Sequence, residues 1–81
     1  MKIKARIKQK QIVTKKIDTP FIRLDSFMKL CGAAATGGHA KIIIQNGEVR
    51  VNKEICTQRG KKLRPGDEAE YENIIYKVDM L

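Results

Sequence analysis

The sequence predicts an α+β domain in which a basic strand or arm is followed by two helices and then a small antiparallel sheet. Three observations carry this. Leu24, Phe27, Met28 and Cys31 follow the i, i+3, i+4, i+7 spacing of a helix with one apolar face. Ala40, Ile43 and Ile44 make the inward face of a second helix. Beyond Gly47 the period drops to two, with Val49 and Val51 flanking Arg50. Turn signals then recur at Asn52-Lys53, at Arg64-Pro65-Gly66-Asp67 and at Glu72-Asn73.

Each element has its own local reason. Residues 1–16 carry Lys2, Lys4, Arg6, Lys8, Lys10, Lys15 and Lys16 without an acid, so the chain divides into a basic extension, 1–16, and a domain, 17–81. Ile3, Ala5 and Ile7 alternate with the cations as in a half-buried strand; a flexible basic arm fits equally well, and either can touch phosphate. Thr19-Pro20 interrupts this pattern, because proline disfavours helix in the residue before it. The first helix has Asp25 in its opening turn, where negative charge suits the dipole, and Lys29 four residues on as a solvated ion-pair partner; Gly32 ends it. Thr36 caps the second helix, which ends at Asn46-Gly47 and leaves Gly37, Lys41 and Gln45 on its outer face. Val49 and Val51 then turn back through Asn52-Lys53 into a return strand beginning at Ile55. A segment with Ala69 and Tyr71 precedes a last strand around Ile75, Tyr76 and Val78.

Composition narrows the function. Seventeen Lys and Arg against nine Asp and Glu leave a formal charge of +8 on 81 residues. Solubility needs less charge than that, so the balance favours a polyanionic partner. A lone histidine and two distant cysteines, Cys31 and Cys56, cannot furnish a four-ligand zinc site, and nothing calls for a cofactor or small-molecule substrate. Few cysteines and no signal-like apolar run point to the cytoplasm. The longest aliphatic run, Ile42-Ile43-Ile44, is far short of a membrane span.

Catalysis is poorly supplied. His39 is the sole histidine and lies near neither cysteine in sequence, while Glu68, Glu70 and Glu72 alternate as solvent-facing charge that would keep one strand face away from nucleic acid. Thr36-Gly37-Gly38-His39 can offer backbone N–H groups to an anion at a helix start, although its spacing is not that of a Walker loop and a tight inter-helix turn explains the glycines as well. The more specific cluster is Arg59, Lys61, Lys62 and Arg64, bent at Gly60, whose mutual repulsion asks for an anion.

From Arg23-Leu24-Asp25 through Ala40-Lys41, Ile44, Gly47, Val49, Val51-Asn52 and on to Pro65-Gly66-Asp67, the chain resembles the RNA-binding domain named after small-subunit ribosomal protein S4, over about residues 17–72. Thr36-Gly37-Gly38-His39-Ala40-Lys41 and Arg59-Gly60-Lys61-Lys62-Leu63 look more like its small stand-alone bacterial YaaA/YbcJ branch. The resemblance implies an αα-hairpin laid against a short sheet, with the helices and the following loop as the RNA face. It nominates Lys41, Asn52 and the 59–62 loop. Two departures stand out: Thr36-Gly37 replaces a usual Ser-Arg, and Asn52-Lys53 replaces Asn-Gly.

The expected site is therefore Lys41, Lys53, Arg59, Lys61 and Lys62 on phosphates, Gly37 and Gly38 as backbone donors, Asn52 in the turn and Lys29 flanking. Phe21, Phe27, Tyr71 and Tyr76 all fall at positions a core can claim, so base stacking looks scarce and folded RNA, with ribosomal RNA or a ribosomal subunit the leading candidate, is the expected partner of a monomeric, non-catalytic protein. A DNA-binding accessory protein and a protein-interaction adaptor are the alternatives.

Overall fold

A computed structural model describes residues 10–81. In chain order the elements are β1 (Gln11–Ile17), β2 (Ile22–Arg23), α1 (Leu24–Leu30), α2 (Gly37–Gln45), β3 (Arg50–Val51), β4 (Glu54–Ile55), β5 (Lys62–Leu63), β6 (Glu68–Tyr71) and β7 (Ile74–Met80). The Ile3, Ala5 and Ile7 alternation lies outside the described residues, and the boundary drawn at 16/17 falls inside β1.

Both helices stop for the reason the sequence suggests. Gly32 and Gly47 adopt φ of +79° and +77°, a left-handed conformation that glycine enters without a Cβ penalty. The amides just after each helix then turn back onto its last carbonyls: Gly32 N–H to Lys29 and Ala33 N–H to Met28, Gly47 N–H to Ile44 and Glu48 N–H to Ile43. This Schellman pattern satisfies carbonyls the helix itself leaves unpaired. The apolar stripes face inward: Leu24, Phe27, Met28, Ala40, Ile43 and Ile44 are all buried, and they pack on Val49, Val51, Leu63, Ala69, Tyr76 and Val78.

The sheet differs from expectation. It has five strands in the order β1-β7-β6-β3-β4 and is mixed, because β1 lies parallel to β7, with Val13 opposite Tyr76 and Ile17 opposite Met80. The remaining pairs of that sheet are antiparallel, β3–β4 and β6–β7 through tight turns and β3–β6 between segments distant in sequence. A parallel partner needs a long crossover, and here everything between β1 and β7 provides it, so no local turn signal could announce the pairing. The two hairpin turns fall where the sequence marks them: Asn52 and Lys53 have φ of +50° and +74°, Glu72 and Asn73 +52° and +67°. These are the two positive-φ positions of a two-residue hairpin loop that matches strand twist. Separately, β2 and β5 form a two-stranded ribbon, Ile22 opposite Leu63 and Arg23 opposite Lys62.

Candidate nucleic-acid interface

The site begins with a helix that lacks a side-chain cap. Arg23 occupies the N-cap of α1 and makes no capping bond, so the first amides of the helix need acceptors from elsewhere. They find them in the basic loop: Leu24 N–H donates to the Lys61 carbonyl at 2.8 Å and Asp25 N–H to the Arg59 carbonyl at 3.0 Å. With its carbonyls turned inward on α1, the 59–62 segment keeps the Arg59, Lys61 and Lys62 residues exposed. Arg23 joins them. Its guanidinium lies over Gly60, where a Cβ would stand 3.8 Å from Nη2, and it pairs with Asp25 at 3.1 Å. Asp25 is thus the partner of Arg23, in place of the Lys29 expected from helical spacing; Lys29 remains exposed on α1 beside Ile22, Ser26 and Leu30.

Strand alternation then sorts the ribbon. Ile22 and Leu63 point one way, Leu63 being fully buried, so Arg23 and Lys62 share the outward face. Phe21 falls on that face too. It corrects the expectation that every aromatic belongs to the core: Phe21 is 37% exposed, and the Lys62 ammonium sits 4.8 Å from its ring centroid. Phe27 and Tyr76 are buried as expected.

The hairpin turn is braced from across the sheet. Asn52 Nδ2 donates to Asp67 Oδ1 at 3.2 Å, and Asn52 Oδ1 accepts from Glu68 N–H at 3.1 Å. Asp67 in turn accepts the Arg64 amide at 2.8 Å and closes the 64–67 turn, whose Gly66 has φ +101°. The Asn52 amide is therefore engaged at both ends by the protein, while Lys53 projects exposed from the same turn. Between hairpin and basic loop runs an open groove of about 320 Å³ whose lining includes Asn52, Glu54, Ile55, Thr57 and Lys61. The structure thus brings Arg23, Arg59, Lys61 and Lys62 together at the start of α1 and ties Asn52 to the same groove.

Lys41, Gly37 and Gly38 belong to α2, with no hydrogen bond from the 59–62 loop to hold them. Thr36 accepts the His39 amide at 3.0 Å, the cap expected from the sequence, and His39 Nδ1 accepts from Ala35 N–H at 3.3 Å. All three site residues of α2 are exposed. Neither glycine is demanded by packing: a Cβ on Gly37 would meet nothing within 4 Å, and one on Gly38 only the Thr36 hydroxyl at 3.9 Å.

On the sheet, cations face acids. The outer sheet face sets Arg50 opposite Glu70 and Lys77 opposite Glu68, and Lys10 pairs with Glu70 at 2.7 Å. The Cys31 thiol is pushed up to about 11 by burial, only partly offset by Lys15, which keeps it protonated and a poor nucleophile at neutral pH. Among the described residues no group of three His, Cys, Asp or Glu could hold a metal, and no helix is long and apolar enough to cross a membrane.

Sequence reasoning left Arg23 and Phe21 out of the site. The clue to Arg23 is its place immediately before an apolar helix with no capping residue, but its nearness to Lys62 depends on a strand pairing between distant segments.

Comparison with known proteins fits this geometry. A curated relative from Bacillus subtilis (strain 168), "Probable ribosome maturation protein RlbA", is 45% identical over 56 residues, spanning 69% of this chain and 79% of that protein. Residues 15–79 match the S4 domain, a span that runs from within β1 almost to the end of β7 and takes in both helices, the basic loop and the braced hairpin: the chain belongs to the S4 domain family.

Proposed function

We propose that this protein is a non-catalytic RNA-binding module that grips structured RNA, ribosomal RNA foremost, as a monomer without a cofactor. The observation that carries the reading is the basic loop folded back on α1, which gathers Arg23, Arg59, Lys61 and Lys62 at the start of that helix, where only Arg23 forms an ion pair, with Asp25. Like charges gathered by backbone bonds repel one another, and an anionic partner removes that cost. Lys29, Lys41 and Lys53 extend the contact to phosphates. Gly37 and Gly38 supply backbone donors at the start of α2, and Asn52 acts by holding the turn from which Lys53 projects. The relative's name, a ribosome maturation protein, supports the choice of ribosomal RNA.

The test is a salt titration of binding to a folded ribosomal RNA fragment and to duplex DNA of equal length. Neutralising about six phosphates gives a slope of log affinity against log salt of roughly −5, and the Lys61→Ala/Lys62→Ala pair lowers its magnitude by about 2. Preference for the DNA would favour an accessory DNA-binding role. Affinity that hardly changes with salt would defeat the phosphate mechanism.

A further inference from the structure

Resting on the RNA-binding reading, we infer that Phe21 is a stacking platform for one unpaired base, so that the protein distinguishes RNA with a bulged or looped nucleotide from a continuous duplex.

The case starts from an aromatic ring in an unusual position. Phe27 and Tyr76 are buried in the core, yet Phe21 stands 37% exposed on the outward face of the β2–β5 ribbon. Its carbonyl accepts the Thr19 hydroxyl at 2.8 Å across Pro20, whose ring locks its own φ and closes the turn that leads into the ribbon. The surroundings of Phe21 are cationic: Lys62 lies 4.8 Å from the centroid, and Arg23 is paired with Lys62 across the ribbon. The exposed part of Phe21 contributes no burial to the fold, and a lysine over it is held only weakly.

The same arrangement fits a nucleotide. A base is a flat π-system that stacks on an aromatic face whatever its identity, and unpaired nucleotides of folded RNA can be splayed out to do so. The arriving base displaces the Lys62 ammonium from the ring, and that ammonium is then placed to pair with the phosphate of the same nucleotide. One residue pair therefore contributes both stacking and charge. A continuous duplex has no free base to give, and uses only the charge.

The experiment compares two blunt-ended RNA duplexes of equal length, one fully paired and one with a single bulged nucleotide, binding to the full chain and to Phe21→Leu and Phe21→Trp variants. Leucine keeps an apolar side chain but removes the π-face. Phe21→Leu should lose about tenfold in affinity for the bulged duplex, with affinity for the paired duplex and the salt slope unchanged, and Phe21→Trp should restore binding. The Phe21 ring protons of the parent should move upfield in NMR spectra on adding bulged RNA and stay in place with the paired duplex. Equal binding of both duplexes by parent and Phe21→Leu, or ring protons that do not respond, overturns the stacking role while leaving phosphate binding intact. If the parent binds neither duplex, the RNA-binding reading falls and this inference falls with it.

Discussion

Replacing Asn52 with alanine should cost about 2 kcal/mol of stability, although the residue is exposed. Two contributions make up this figure. The amide donates to Asp67 at 3.2 Å and accepts from Glu68 at 3.1 Å; at an exposed site each bond contributes roughly 0.5 kcal/mol net, the low end of the usual range. The backbone has φ +50°, a left-handed conformation that asparagine tolerates and alanine enters at a cost of about 1 kcal/mol. For a domain of this size the loss corresponds to a fall in Tm of roughly 8–16 °C. Glycine at the same position separates the two parts, since it loses both bonds but accepts the positive φ, and should cost about half as much. Urea unfolding followed by circular dichroism measures both variants. Asn52→Ala within about 0.5 kcal/mol of the parent, or Asn52→Gly as damaging as Asn52→Ala, would refute the view that the Asn52–Asp67–Glu68 brace sets the hairpin.

Other expectations follow from the same contacts. Lys61→Ala/Lys62→Ala should leave stability within about 1 kcal/mol, the main loss being the exposed Lys62–Phe21 contact; a larger drop in thermal melting would mean that these lysines hold the fold. Gly37→Ala should raise stability by a few tenths of a kcal/mol, because no heavy atom lies within 4 Å of the new Cβ and alanine favours helix. It should also weaken RNA binding several-fold, and unchanged affinity in a fluorescence titration would remove Gly37 from the interface. The Cys31 thiol, raised from 9.0 to about 11, is held neutral in the folded protein while the unfolded chain ionises first, so its contribution is complete below pH 9 and is lost as pH rises toward 11. Urea midpoints should therefore fall over that window, and Cys31→Ala should flatten the fall. Tyr71 and Tyr76, also raised by burial, leave a remaining slope at the alkaline end.

By itself the sequence determined what neighbours along the chain can decide. Helix faces follow from a 3.6-residue period, helix ends from Gly32 and Gly47, the cap from Thr36, and the hairpin turns from Asn52-Lys53 and Glu72-Asn73, since each depends on residues within one turn of one another. The sign of the charge, and so the class of partner proposed, was legible in the same way. Only tertiary structure decided the parallel docking of β1 on β7, the folding of the Arg59 and Lys61 carbonyls onto α1, and the engagement of the Asn52 amide. The physical reason is common to all of these. An unsatisfied donor or a strand edge is visible locally, but which distant group satisfies it depends on how the apolar faces pack, and that packing also left Phe21 outside the core it was expected to join.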